Sequence, residues 1–531
     1  MYQADFFPLS LAEEGRQSAF SWRGMPPGYL DNYYQQLPLF NPLWGYWDSQ
    51  HIPIEIIRNR LVDQPNLRYH LVPLKMQEGL KPITRLTFAQ DIQFGLSYLD
   101  VGLSFYYRPK SYLKISANNF LRDGSSGAFS EIKVNTYRVH VHQNLTDKFN
   151  LDLHYWQIRH DFALSSFPVV TEVHDYNRVG HLLWSNLNYQ PDSLQKITLT
   201  PYLYRWIEHY HTLNDIQKRR SDQYSAGLKG NYQKNYAQIT LKAEGNVVRH
   251  DISKATSFSS EGHLEGQVRG IVQIRRGNSW LEGGAGYHYT SYAGGNPELF
   301  LGWNWSPFTR FSSKASLYQK PQRIPVGPMN WQGFGISSLR DPVLPARRGI
   351  SWQLQLKDIS GWNFQFEPYY NQFSNAQSYR PADSTFIQED FDNPGFIAGL
   401  DKNLWIFEMQ NALSYNLNYD RVFIPRVKNV LTVNIPFSIL KGALKMDNYI
   451  IYQYIGPVQK FDYYPLVNQY TITSQEAGNY HIVDAKILAH IKTATIYFIW
   501  ENLVSQDYAI VDSYFEIYRL FRFGIYWTLY D

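Results

Sequence analysis

Polar and apolar residues alternate strictly along much of the chain, and this period of two limits the fold more than any other feature. From about Lys81 to the end, several runs of about ten residues or more have an apolar side chain at every second position. In one run Ala237, Ile239, Leu241 and Ala243 alternate with Gln238, Thr240, Lys242 and Glu244. A period of two puts the two sets on opposite faces of a β-sheet. Such runs are long for a strand of a soluble protein and suit a tilted membrane strand.

Short polar turns recur between these runs, about two strands and one longer loop apart, as in outer-membrane barrels. They lie at 109–110, 146–148, 191–193, 233–235, 275–278, 306–307, 360–361, 401–403, 441–442 and 492–493. Ten turns on one rim, with both termini on that rim, predict an all-β fold: a transmembrane antiparallel barrel of about 22 strands. The main connections at the opposite rim are longer, and we expect them at 162–177, 320–345, 375–394 and 457–478.

Composition excludes several classes of protein. Lys and Arg number 50 against 46 Asp and Glu, so the formal net charge of +4 provides no basic field for nucleic acid. Aromatic residues make up 17% of the chain, led by 42 Tyr, and Tyr and Trp are typical of membrane interfaces. The chain has no Cys, which excludes thiolate metal sites and disulfide bonds. No apolar run is long enough for a transmembrane helix.

The first 78 residues differ from the rest. They lack sustained alternation and are rich in Pro, Gly and aromatic residues, so we divide the chain into a segment at 1–78 and a barrel at 79–531. The N-terminus has neither the basic region nor the apolar core of a signal peptide, which taken alone predicts a cytoplasmic protein. Because the barrel pattern contradicts that location, we expect the sequence to be a fragment of a longer one.

Motifs in this segment resemble the second half of the plug domain of TonB-dependent outer-membrane receptors. The residues that match the family's plug motifs are Arg23, Gly24, Leu37, Pro38, Glu55 and Arg58. Gln35-Gln36 replaces the family's Asp-Gly turn, and Asn59-Arg60 replaces its Gly-Pro pair. Further matches follow at 341–346 and 500–508. The resemblance implies a partial plug ahead of the barrel.

The same resemblance implies a transport protein of the Gram-negative outer membrane that takes up a small solute. Its partners would be outer-membrane lipid and lipopolysaccharide, the barrel-assembly machinery and, where transport is energised, TonB. A passive porin-like channel is the alternative among membrane proteins. A soluble aromatic-rich β-protein that binds or cleaves carbohydrate is the alternative from another class. No motif for a nucleophilic Ser, a zinc protease or a nucleotide is present, so we expect neither an enzyme nor a cofactor.

The alternation also assigns candidate residues to the lumen. The polar set that we expect to face inwards includes Arg138, His140, His142, Lys242 and Glu244. The spacing of His140 and His142 would let them share a metal ion, as would that of His209 and His211. A wet lumen explains such histidines more simply, so we predict no metal site.

We expect the plug arginines Arg23 and Arg58 to pair with lumen carboxylates such as Glu244. This follows from placing an irregular segment inside the barrel, because its unpaired backbone groups could not face lipid. The charged side chains of such a segment would then need partners on the polar inner wall.

We interpret the clustered aromatic residues as features of a membrane protein. The outward aromatic side chains of the last strand resemble the C-terminal signal by which outer-membrane barrels are recognised for assembly. That signal comprises Phe521, Phe523, Trp527 and Tyr530. The clusters Trp303–Trp305 and Trp44–Trp47 could stack on a sugar, but an interface girdle is the simpler interpretation for both.

Overall fold

The structure is a computed structural model that describes residues 4–11, 14–64, 66–74, 81–93, 95–123, 131–165, 173–212, 218–253, 262–331, 334–516 and 519–530. Nearly all regular elements in these ranges are β-strands, and the single α-helix, α1, has four residues (Val326–Met329). No helix within the described ranges has the length and apolar character needed to cross a membrane.

The N-terminal part of the chain forms two small sheets. One pairs β1 (Phe6–Ser10) with β2 (Ser18–Trp22) in antiparallel fashion. The other has four strands, β3 (Asp31–Tyr34), β4 (Leu37–Leu39), β5 (Ile57–Asp63) and β6 (Arg68–Pro73). They lie in the order β4-β3-β6-β5. We call the described residues from 4 to 74 the N-terminal segment.

The rest of the chain forms a closed antiparallel barrel. Its strands are β7 (Ile83–Asp91), β8 (Ser97–Arg108), β9 (Ser111–Asp123), β10 (Glu131–Thr146), β11 (Phe149–Ser165), β12 (Val173–Tyr189), β13 (Gln195–Thr212), β14 (Lys218–Asn235), β15 (Ile239–Ser253), β16 (Gly262–Arg276), β17 (Ser279–Thr290), β18 (Gly294–Phe308), β19 (Phe311–Pro321), β20 (Ala346–Ile359), β21 (Trp362–Arg380), β22 (Thr385–Leu404), β23 (Phe407–Asn416), β24 (Val427–Asn434), β25 (Phe437–Ile439), β26 (Leu444–Ile455), β29 (Tyr480–Ile491), β30 (Ala494–Glu501) and β31 (Leu520–Tyr530).

The predicted strand number is confirmed. Of the 23 segments in the barrel, β24 and β25 pair one after the other with the same strand, β26, and therefore form one interrupted strand. Subtracting one from 23 leaves 22 strands, and β31 closes the ring by pairing with β7. Two further strands, β27 (Val458–Tyr464) and β28 (Gln469–Ala477), form a separate hairpin between β26 and β29.

All ten predicted turns lie at the rim where the connections are short. Three of them, at 233–235, 306–307 and 401–403, fall in the last residues of β14, β18 and β22, and the chain reverses one to three residues later. The fully exposed Trp405 occupies one of these reversals, two residues after the polar turn predicted at 401–403. Paired strand ends outside the hydrocarbon tolerate polar residues, so polarity marks these turns only to within a few residues.

One predicted long loop is wrong. Strands β21 and β22 continue through 375–394, and only residues 381–384 connect them. These strand ends project beyond the short span that a membrane requires, so their side chains need not alternate in polarity. The loop expected at 320–345 is present between β19 and β20. The loop expected at 162–177 is also wrong at both ends, because residues 162–165 and 173–177 are paired ends of β11 and β12, and residues 166–172 lie outside the described ranges.

The alternating side chains of β15 divide between the two faces of the wall. Leu241 is 36% exposed on the outer face, beside the equally outward Val272 of β16. Thr240 lies on the inner face, where its hydroxyl donates to Asn235 Oδ1 over 3.0 Å. The outer face therefore carries an apolar belt of the kind that faces lipid in membrane barrels, and the inner face carries the polar set.

Arginine substitutions on the outer face of β15 should lower the free energy of unfolding more than those on the inner face. Ala243 lies four residues into the strand from Ile239, about 13 Å along it, which places it near the middle of the apolar belt. We expect Ala243→Arg to lower the free energy of unfolding by roughly 2–4 kcal/mol, and Leu241→Arg, closer to the rim, by about 1 kcal/mol. Thr240→Arg should be tolerated. Urea titrations in lipid vesicles measure these values, and equal losses on both faces would contradict the assignment.

Candidate functional site

The N-terminal segment lies in the lumen and contacts the inner wall around its circumference. These contacts involve three separate parts of the ring: β8 with the nearby β31, then β13, and then β23. The pairs are Tyr98 with Glu55 (2.5 Å), Tyr204 with the Pro38 carbonyl, Ser414 with the Ala4 carbonyl (2.8 Å) and Arg522 with Glu14 (2.6 Å). An irregular segment so placed satisfies its polar groups against the wall instead of facing lipid.

A buried ion pair joins Arg23 of the segment to Glu367 of β21, with 2.8 Å between Arg23 Nη2 and Glu367 Oε1. Arg23 therefore pairs with a lumen carboxylate, but the expected partner was wrong, because Glu244 binds Arg68 instead. Arg58 is exposed on β5, which is an edge strand of its sheet. Sequence motifs place a charge in the segment without specifying which of the many lumen carboxylates it faces.

Glu244 lies at the centre of a second ionic contact. Its Oε2 atom lies 2.9 Å from Arg68 Nη2 of the segment and accepts a hydrogen bond of 2.7 Å from Arg269 Nε of β16. Two guanidinium groups thus share one carboxylate, which gives charge-assisted hydrogen bonds between segment and wall. Lys242 lies on the same inner face of β15, with its Nζ 4.0 Å from Glu282 Oε2 of β17.

Gly24 is required where the segment touches the wall. Its φ is +81°, in the left-handed region that favours glycine. A Cβ atom there would lie 2.8 Å from Asn393 Nδ2 and 2.9 Å from the Cβ of Val422. The Arg-Gly motif therefore combines a charge for the wall with a backbone that can approach it closely.

The substituted turn at Gln35-Gln36 still reverses the chain between β3 and β4. Gln35 adopts the left-handed conformation with φ of +56°. The two side chains contact the wall: Asn186 donates to Gln35 Oε1 and Asn231 donates to Gln36 Oε1, each over 3.1 Å. Leu37, which follows, is completely buried. The loss of glycine here coincides with two additional hydrogen bonds to the barrel.

The candidate lumen residues of β10 face inwards and are already paired. Arg138 forms a close ion pair with Asp100 of β8. His140 and His142 both bind one oxygen of Asp152, with 2.9 Å and 2.8 Å between the ring nitrogens and Oδ1. The carboxylate therefore lies between the two imidazoles as their shared hydrogen-bond partner.

The aromatic clusters divide between lipid and lumen. Trp303 and Trp305 are exposed on the outer face, as a girdle requires. The girdle interpretation is wrong for Trp44, Tyr46 and Trp47, which are buried in the N-terminal segment. Residues 44–47 do not belong to a strand, so the alternation of side chains that assigns strand residues to a face does not apply to them. The sequence therefore did not indicate whether these aromatic side chains face lipid or the lumen.

The four candidate residues of the assembly signal occupy β31. Arg522 faces inwards, because it pairs with Glu14 of the N-terminal segment. Because side chains alternate along a strand, Phe521, Phe523 and Trp527 point outwards. Tyr530 is an even number of residues from Arg522 and therefore lies on the inner face, at the exposed end of the strand.

The hairpin β27–β28 folds inwards and covers the segment from the long-loop rim. At its tip Asn468 Oδ1 accepts hydrogen bonds of 2.7 Å from Tyr463 and from Tyr46 of the segment, and also contacts Gln17. The hydroxyl of Tyr470 donates to the carbonyl of Leu9 over 3.1 Å. Sequence reasoning identified 457–478 as a loop and missed this inward contact, for which its aromatic content was the available signal.

Charged groups cluster beneath this hairpin. Glu208 of β13 accepts hydrogen bonds from Arg178 Nε over 2.7 Å and from the Trp44 ring nitrogen over 3.4 Å, and it also pairs with Arg219. Burial raises the pKa of the Asp48 carboxyl to about 6, and the charge of Arg178 opposes that rise. The upper surface of the N-terminal segment is therefore joined to the wall by buried charged groups.

Comparisons with known proteins identify relatives in structure alone. No protein-family model matches the chain, and no curated protein matches it in sequence. A variant of the ferric enterobactin receptor from Pseudomonas aeruginosa superimposes with a TM-score of 0.79 at 10% identity, covering 99% of this chain and 95% of that one. The siderophore receptor PirA from Acinetobacter baumannii gives 0.79 at 11% identity, with the same coverage of both chains.

The copper transporter OprC gives a TM-score of 0.81 at 11% identity, again covering 99% of this chain and 95% of that one. Identities this low show the fold and leave function to be argued from the chain's own residues. The fold predicted from the alternation and the turns, a barrel of about 22 strands like that of TonB-dependent receptors, is confirmed.

Proposed function

We propose that this chain is a gated transport protein of the Gram-negative outer membrane, and that it takes up a small solute by displacing the N-terminal segment. The observation that carries the proposal is the filled lumen: a barrel of 22 strands is wide enough to leak solutes, and the N-terminal segment contacts its inner wall on several sides. The apolar outer belt and the outward Trp residues support contact with lipid. Lipopolysaccharide and the barrel-assembly machinery are the partners that this location implies.

Many contacts between the N-terminal segment and the wall are polar, which favours a segment that can be displaced rather than one that seals the lumen permanently. Arg23, Arg68 and Glu14 bind the wall through ion pairs, and other parts of the segment bind through side-chain hydrogen bonds. Water can replace these polar contacts when the segment moves, whereas the apolar contacts beside them, such as Trp47 with Trp206, have to expose their surface. Because many contacts must break together, movement requires energy, and a pull by TonB is the source that the family resemblance suggests.

The class of solute is proposed by analogy. The structural neighbours are named as receptors for ferric enterobactin and other siderophores, and as transporters of iron and copper. A chelated metal or a metal ion is therefore the class to test first. The filled lumen disfavours the passive porin, and the exposed apolar belt disfavours a soluble carbohydrate-binding protein.

A urea titration in planar bilayers tests the gating. The intact chain should pass little current in buffer and should open reversibly at urea concentrations that leave the barrel folded, because small sheets with polar contacts unfold before a closed barrel. The migration of unheated samples in gels reports the barrel in parallel. A large steady current without urea, unchanged by its addition, would reject gating and favour the porin alternative.

A further inference from the structure

Three side chains from the N-terminal segment and the wall meet at one point. Asp48 and His51 belong to the segment, at the short 3-10 turn Ser49–His51, and His160 belongs to β11. The nitrogens His51 Nε2 and His160 Nδ1 lie 3.0 Å apart. Asp48 Oδ2 lies 3.9 Å from the first nitrogen and 3.6 Å from the second. All three side chains are at least 95% buried.

The triangle formed by these atoms has the dimensions of three ligands around a tetrahedral ion. Nitrogen and oxygen ligands at 2.0–2.1 Å from Zn²⁺ are separated from one another by about 3.3 Å. The same geometry separates the centres of two imidazole rings by about 5.2 Å. The rings of His51 and His160 are 5.2 Å apart and perpendicular.

The surrounding contacts orient each ligand. His160 Nε2 lies 2.7 Å from the carbonyl of Gly15, so this nitrogen carries the proton and Nδ1 is left with its lone pair towards the site. Asp48 Oδ1 accepts from the backbone N–H groups of Gln50 (3.1 Å) and Ser18 (3.2 Å). Those two bonds turn Oδ2 towards the histidines, where this buried oxygen accepts no hydrogen bond from the described residues.

A cation, Arg178, lies near the site. Arg178 Nη1 is 3.7 Å from Asp48 Oδ2, beyond hydrogen-bond distance, and the guanidinium is bound through Nε to Glu208. Glu208 also pairs with Arg219, so its single negative charge is shared by two guanidinium groups. The imidazole rings add no charge when neutral. Their 3.0 Å contact is a hydrogen bond from His51 Nε2 to His160 Nδ1, and a bound metal would take its place once the His51 proton moves to Nδ1.

A second cluster of two histidines and one aspartate does not point its ligand atoms at a common position. His140, Asp152 and His154 also lie close together on the wall. The rings of His140 and His154 are stacked, with centres 3.9 Å apart and planes 20° from parallel. Lone pairs of imidazole nitrogens lie in the ring planes, so stacked rings cannot both point at one ion.

We propose that Asp48, His51 and His160 bind one divalent transition-metal ion of the Zn²⁺ class, which fastens the N-terminal segment to the barrel wall. Two nitrogens and one carboxylate oxygen form the donor set that such ions accept, with a fourth position for water. The complete enclosure of the ligands favours a resident ion over a transported one. His51 and His160 are 109 positions apart, so no sequence spacing could have indicated the pair.

Metal content tests the proposal on the full chain in detergent. The protein is stripped with EDTA, exposed to Zn²⁺, desalted and analysed by mass spectrometry for zinc. We expect about one zinc per chain in the wild type, and a loss of at least about tenfold in His160→Gln and Asp48→Asn. His211→Gln is the matched control, because His211 is exposed and pairs only with Asp175 among the described ion pairs.

A second measurement separates a specific ion from surface binding. EDTA should lower the temperature at which the segment becomes accessible to protease in the wild type and the control, and should have no effect in the two site variants. Gel mobility of unheated samples confirms that each barrel is folded. The proposal is overturned if the folded wild type retains no zinc after loading, or if His160→Gln and Asp48→Asn retain as much as the control.

Discussion

Deletion of residues 1–75 should convert a closed barrel into an open channel. The segment fills the lumen and contacts strands from β8 to β31, so its removal leaves a water-filled pore lined by polar side chains. We expect single-channel conductance in planar bilayers to rise by at least about tenfold over the intact chain. This is the largest functional effect that the structure predicts.

The deletion needs a check on the barrel itself, because wall residues such as Trp184 and Trp206 pack against the segment. Migration of unheated samples and circular dichroism show whether the strands have formed. Arg68→Gln is a suitable comparison: it removes one ion pair to Glu244 and leaves the segment in place, so its conductance should stay low. If the intact and deleted chains conduct equally and strongly, the segment does not obstruct the pore and the porin alternative holds.

Deletion of residues 521–531 should abolish the folded barrel. Strand β31 pairs with β30 on one side and with β7 on the other, so it closes the ring. Its removal leaves two strand edges whose backbone groups have no partners in hydrocarbon, which costs several kcal/mol for each group. It also removes the outward residues Phe521, Phe523 and Trp527. We expect the deleted chain to be absent from the outer-membrane fraction and to be degraded in the periplasm.

Two changes at the same end separate closure from the assembly signal. Tyr530→Ala keeps the ladder to β7 and alters one residue of the proposed signal, so slowed assembly of an otherwise stable barrel would identify a recognition role. Trp527→Tyr keeps an aromatic residue on the lipid face and should behave as the wild type. Normal insertion of the chain that lacks 521–531 would contradict both the closure and the signal.

The strand number and the facing of the side chains followed from the sequence alone. A membrane strand has lipid on one side and a polar lumen on the other, so each residue reports its own environment through its polarity. The positions of Leu241 and Lys242 could thus be assigned without knowledge of the neighbouring strands. The ten turns could be predicted for the same reason. The predicted positions near 234, 307 and 402 were a few residues too early, because the ends of those strands are polar.

The pairing of the segment with the wall was decided by the tertiary structure. Arg68, and not Arg23 or Arg58, binds Glu244, because the register of the small sheet and the closure of the ring determine which charges meet. The inward fold of β27–β28 and the burial of Trp44 have the same origin. The meeting of Asp48 and His51 with His160 also depends on a segment threaded through a closed barrel. The polarity of a residue depends on whether it faces lipid or water, and this can be predicted from the sequence. Contacts between distant parts of the chain depend on how the whole barrel closes around the N-terminal segment.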